Sequence, residues 1–151
     1  MRLAALLWAL STTVLCAQIH GCDFEIRIEY VGPVDQPLIV QIQEPNGALS
    51  PEFHFQRRGD TATYRVRGTC NTRTYIRVYK PSDTWTIVGR IFETSGVMTG
   101  RGYTEYKLLS SGLIFMHNSY GVPCVFGTWG TCVRNRFNQP LTKYDPFARQ
   151  L

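Results

Sequence analysis

The chain has 151 residues, with 16 Lys and Arg against 11 Asp and Glu, a formal net charge of +5. At 44% hydrophobic and 18% charged it has the apolar content of a globular domain, which excludes a disordered polar segment. Its longest basic run is the pair Arg57 and Arg58, so there is no polybasic tract of the kind that grips nucleic acid, and no such partner is expected.

The chain opens with MRLAALLWALSTTVLCA, an early charge at Arg2, an apolar stretch from Leu3 to Leu15 and small residues at Cys16 and Ala17. That order is the pattern of a secretory signal, expected to be cleaved after Ala17, so residues 1–17 are assigned to it and the protein is expected to be secreted and extracellular. The apolar stretch is shorter than the roughly 20 residues that cross a bilayer as a helix. After it, the longest apolar run is LIFM at 113–116, so no transmembrane segment is expected once the signal has gone. Losing Arg2 leaves 15 basic side chains against 11 acidic ones.

Strand signals then follow in chain order. From Asp23 to Tyr30, apolar Phe24, Ile26, Ile28 and Tyr30 alternate with charged Asp23, Glu25, Arg27 and Glu29, which predicts a strand buried on one face only. GPVDQP breaks this strand, PLIVQIQE forms the next, and PNG supplies turn chemistry. EFHFQ, TATYRVRG, RTYIRVYK, TWTIVGRIFET, GYTEYKLL and LIFMHN complete about eight short strands punctuated by Gly, Pro, Asn and Asp. The expected fold is all-β, an antiparallel sandwich of immunoglobulin-like, prealbumin-like or C2-like type over residues 18–117. From residue 118 the chain is rich in Gly, Pro and Asn, and 118–151 reads as an irregular extension stapled by a disulfide.

Cys16 leaves with the signal, and the remaining Cys22, Cys70, Cys124 and Cys132 suggest two disulfides in an oxidising compartment. Three pairings exist. Cys22 with Cys70 and Cys124 with Cys132 is favoured, because Gly127 and Gly130 can turn the short loop VFGTWGT back on itself. No C-x-x-C pair occurs and His20, His54 and His117 are scattered, so neither a metal nor a cofactor is expected. No nucleophile elbow and no zinc-protease motif is present either, and the expectation is that the protein is not an enzyme. His54, on the polar side of its strand, reads as an exposed residue and His117 as structural. Thr99, Gly100, Arg101 and Gly102 read as a hairpin turn.

Two short resemblances stand beside this. Asp60, Ala62 and Tyr64 in DTATY resemble the D-x-A-x-Y-x-C strand of immunoglobulin variable-type domains, with Val66 where that family has its cysteine. Gly127 and Trp129 resemble the lipocalin G-x-W signature but sit near the C-terminus, where that family has it near its first strand.

Candidate binding residues come from strand faces. If Ile76 and Val78 point inward, Tyr75, Arg77 and Tyr79 point outward, and by the same alternation so do Arg65 and Arg67. Should these two strands pair, they would form an arginine and tyrosine surface, and both residue types are enriched at interfaces. In a competing reading the arginines pair across strands with Glu25 and Glu29. Arg58, Gly59 and Asp60 spell an integrin-type tripeptide at an expected hairpin tip, with Gly59 at positive φ. The expected function is therefore an extracellular binding module for a protein or acidic glycan, working through Arg65, Arg67, Tyr75, Arg77 and Tyr79, with Arg58, Gly59 and Asp60 as a separate candidate. The alternative is a carrier of a small apolar ligand in a β-sandwich or barrel cavity.

Overall fold

The computed structural model describes residues 21–127, which form nine β-strands and no helix. These are β1 (Gly21–Tyr30), β2 (Leu38–Gln43), β3 (Phe53–Phe55), β4 (Thr61–Thr69), β5 (Thr74–Pro81), β6 (Ile87–Met98), β7 (Gly100–Leu108), β8 (Ile114–Tyr120) and β9 (Cys124–Gly127). A four-stranded sheet runs in the order β4-β1-β7-β8 and a five-stranded sheet in the order β3-β2-β5-β6-β9. The described residues are thus an all-β sandwich, with no helix long and apolar enough to cross a membrane among them. The segment assigned to the signal lies outside the described residues, as does Cys132.

Alternation builds the core. Phe24, Ile26, Ile28 and Tyr30 of β1 are buried and join Leu38, Val40 and Ile42 of β2, Ile76 and Val78 of β5, and Tyr106 and Leu108 of β7 in one cluster between the sheets. Each such side chain taken out of water contributes on the order of 1.5–3 kcal/mol. The expected bridge from Cys22 to Cys70 is present, its Cα atoms 5.7 Å apart across a separation of 48 residues. On the chain-entropy account, closing that loop stabilises the fold by about 4 kcal/mol. A disulfide is compatible with an extracellular location.

Several expectations need correction. The sandwich is not wholly antiparallel, since β1 runs parallel to β7 from Cys22 opposite Gly100 to Tyr30 opposite Leu108. Thr99 to Gly102 is no hairpin, because β6 and β7 belong to different sheets with one residue between them. The chain turns a corner there, and Gly100 permits it. Its φ is 90°, and a Cβ would stand 2.4 Å from the Gly121 carbonyl oxygen. The stretch from Gln56 to Asp60 is likewise a corner between sheets, joining β3 to β4. Of the stretch read as an irregular extension, the described part carries strand: β8 continues to Tyr120, and β9 pairs with β6, Gly127 opposite Gly96. The polar ends of these strands lack alternation and are held by their neighbours instead.

The immunoglobulin resemblance also finds different geometry. Cys22 and Cys70 join neighbouring strands of one sheet, whereas the immunoglobulin bridge crosses between sheets. Tyr64, from β4, donates its hydroxyl proton to the carboxylate of Glu44 beyond the end of β2, latching one sheet to the other. Burial, and then the Glu44 carboxylate, push the Tyr64 hydroxyl up to about 12.

Ile26→Ala should cost about 2–5 kcal/mol in urea denaturation, whereas Thr63→Ala on the exposed face should change stability by less than about 0.5 kcal/mol. Because folding raises the Tyr64 value, its contribution is complete below the ordinary 10.0 and is lost as pH rises through about 12. Melting curves should therefore show a steeper alkaline decline for the native protein than for Tyr64→Phe across that interval.

Candidate functional site

The two strands that carry the candidate residues do not pair. β4 lies at the edge of the four-stranded sheet and β5 inside the five-stranded one, so Arg65 and Arg67 sit on a different sheet from Tyr75, Arg77 and Tyr79. The combined arginine and tyrosine surface is therefore divided into two outer faces. Alternation gives a strand's face; it does not say which strand lies alongside.

On the four-stranded sheet, strand register sets residues in rows. Arg67 of β4, Asp23 of β1 and Arg101 of β7 form one row; Arg65, Glu25, Tyr103 and, from β8, Tyr120 form the next. Arg65 donates two hydrogen bonds to Asp23, 2.6 Å from Nε to Oδ1 and 2.9 Å from Nη2 to Oδ2. Arg67 reaches the same carboxylate at 3.4 Å. The partner is Asp23, neither Glu25 nor Glu29. The hydrogen bond from Arg65 foremost, and the positive charges of Arg65, Arg67 and Arg101 with it, hold the Asp23 carboxyl below its ordinary value. Glu25 accepts from Arg27 at 2.9 Å, and Glu29 from Lys107.

Charge does not balance in these rows. Arg65, Arg67 and Arg101 stand against Asp23 and Glu25, a surplus of one positive charge, and the next row, with Arg27 beside Glu105, is neutral. Arg67 keeps 64% of its side chain exposed. Exposed ion pairs add little to stability, so the surplus has small structural value and remains available to an anion. Rings adjoin it: the Arg27 guanidinium lies 4.1 Å from the centroid of the Tyr103 ring, which stacks with exposed Tyr120 at 5.9 Å. No local pattern signals Arg101, Tyr103 or Tyr120, because the pairing of β1 with β7 puts the first two beside Asp23 and Glu25, and that of β7 with β8 adds the third.

On the other sheet, Arg77 is engaged by Glu93 at 2.6 Å and lies 5.0 Å from the centroid of the Tyr75 ring. Tyr75 and Tyr79 are half-buried on the same outer face. Arg58, Gly59 and Asp60 occupy the corner after β3, and Gly59 has the expected positive φ, 93°. The Asp60 carboxylate is taken up by the corner itself, for its Oδ2 accepts from the backbone N–H groups of Gln56 at 2.7 Å and Arg57 at 3.0 Å. Gly59 N–H donates to the Tyr30 carbonyl, and Tyr30 N–H donates to that of Asp60. This tripeptide fastens the end of β1, with one oxygen of its carboxylate engaged by the corner's backbone. Among the described residues no three His, Cys, Asp or Glu side chains gather as metal ligands would.

The two backbone donors hold the Asp60 carboxyl below its ordinary 3.8. A lowered folded value means stability that is present above 3.8 and lost as pH falls through the folded value. Asp60→Asn should flatten the acid limb of the melting temperature below that pH, and an unchanged acid limb would show that the carboxylate does not hold the corner. Compared with known proteins, the chain matches no family model and no curated protein sequence.

Proposed function

We propose that this protein is a secreted extracellular binding module that recognises an acidic partner, a protein or an acidic glycan, without performing chemistry on it. The observation that supports this reading is the cluster of Arg65, Arg67 and Arg101 around the single carboxylate of Asp23, on a sheet face with a surplus of positive charge. Guanidinium groups offer forked hydrogen bonds that suit carboxylates and sulfates, and they are less strongly hydrated than ammonium groups. Tyr103 and Tyr120 beside the cluster add ring surface at little ordering cost. The tripeptide at Arg58 to Asp60 is a separate candidate with less behind it, since one oxygen of its carboxylate is engaged by the corner. The reading as a carrier of an apolar ligand has less behind it, because Phe24, Tyr30, Phe55 and Tyr106 fill the space between the sheets.

Binding to a sulfated polysaccharide such as heparin, and to an acidic peptide, tests the proposal. Affinity for one of them should fall as salt rises, and the double change Arg65→Glu with Arg101→Glu should weaken it at least tenfold, about 1.4 kcal/mol, with melting unchanged. Asp23→Asn should strengthen it by releasing Arg65 and Arg67. Binding that ignores both changes would sink the proposal.

A further inference from the structure

The outer face of the five-stranded sheet carries a second feature that the arginine cluster does not explain. Register aligns His54 of β3, Ile39 of β2, Tyr79 of β5 and Arg90 of β6 in one row, and Gln41, Arg77 and Glu93 in the next. Ile39 is fully buried yet stands outside the core cluster, while its neighbours Leu38 and Val40 belong to that cluster. An apolar side chain is therefore covered on a face that otherwise meets water.

Trp85 is part of this feature. It lies in the loop between β5 and β6, and its ring stacks flat on that of His54, with centroids 4.5 Å apart and planes 8° from parallel. Among the described residues Trp85 is the one non-glycine residue at positive φ, 60°. A bulky side chain is disfavoured in that conformation, so the indole stands where the backbone argues for glycine or asparagine, and such outliers gather at functional positions. The loop is held firmly. Ser82 N–H donates to the Thr86 carbonyl, Trp85 N–H donates to that of Ser82, and the Ser82 hydroxyl accepts from the N–H groups of Thr84 and Thr86. Trp85 is thereby set in place before any partner arrives.

We propose that this corner of the sheet is a binding site for an uncharged glycan, with one pyranose ring against the aromatic row and its hydroxyls bonded by the polar row. Tyr79 and Trp85 are half-exposed and His54 is exposed, so the aromatic row is open to a ligand. Residues two apart on a strand stand about 7 Å apart, close to the breadth of a hexopyranose, so the two rows meet opposite sides of one ring. The C–H face of a pyranose is apolar and suits flat rings, while Gln41, Arg77 and Glu93 supply planar donors and acceptors for neighbouring hydroxyls. Charge argues against an acidic ligand here, because Arg77 and Arg90 both bind the Glu93 carboxylate, at 2.6 and 2.8 Å. A protein partner would call for exposed aliphatic surface at the centre of its contact, and in these two rows the single aliphatic side chain, Ile39, is already covered.

Tryptophan fluorescence and calorimetry with cello-, chito-, laminari- and mannohexaose test the site. At least one of these sugars should bind and perturb the fluorescence. Trp85→Ala and Tyr79→Ala should each weaken that binding at least tenfold. Gln41→Leu leaves the ring stack intact and should lower affinity in a protein that still folds, which keeps the test decisive if Trp85→Ala does not. Absence of binding to all four sugars, or binding indifferent to Tyr79→Ala and Gln41→Leu, would overturn the proposal. So would a protein ligand that depends on Trp85 where no sugar binds.

Discussion

Strand β1 is hydrogen-bonded along both edges, antiparallel to β4 and parallel to β7, and the remaining elements take their places from that double pairing. Its inner side chains enter the core and its outer ones are charged, so a slip of one residue against either neighbour would turn four charges inward. Both of its ends are tied down. Cys22 is bonded to Cys70 at the start, and Tyr30 at the finish exchanges backbone hydrogen bonds with the corner at Gly59 and Asp60. The Tyr30 hydroxyl also accepts from the Gln36 backbone and donates to the Val34 carbonyl, fixing the way the chain leaves for the second sheet.

The same pairing makes the charged face. Asp23 meets β4 on one side and β7 on the other, so a single carboxylate comes to lie among arginines from positions 65, 67 and 101. The two edges of β1 thus determine both the core and the imbalance of charge outside it. Sheet pairing, more than local composition, decides which arginines act together.

Much of the fold was legible in the sequence and part of the site was not. The alternation of Asp23 to Tyr30 and of Thr74 to Tyr79 gives the inward and outward residues correctly, and the Cys22–Cys70 bridge is the favoured one of three pairings that the cysteine count leaves open. Hairpins and corners between sheets were confused, because both use Gly and Asp at the turn. Gln56 to Asp60 and Thr99 to Gly102 look alike whether the next strand pairs with the last or crosses to the other sheet. Arg65 was picked out by its face alone, while Arg101, 36 positions further along, became its neighbour through a parallel pairing that no local pattern encodes. Trp85 was read as part of a strand, since nothing in TWTIVG announces a left-handed residue.

The bridge between Cys22 and Cys70 also sets how the sandwich would carry tension. A pull on its two ends passes from Cys22 straight through the sulfur atoms to Cys70, so β1 beyond Cys22 and the whole of β2, β3 and β4 lie in a bypassed covalent loop. The 47 residues enclosed would add about 160 Å of extended chain if released, and they stay out of reach of the load while the bridge is intact. Tension would instead fall on the strands that follow Cys70, from the β5 and β6 hairpin onward. An oxidised molecule is thereby a short, stiff tether, and reduction would make it a long one.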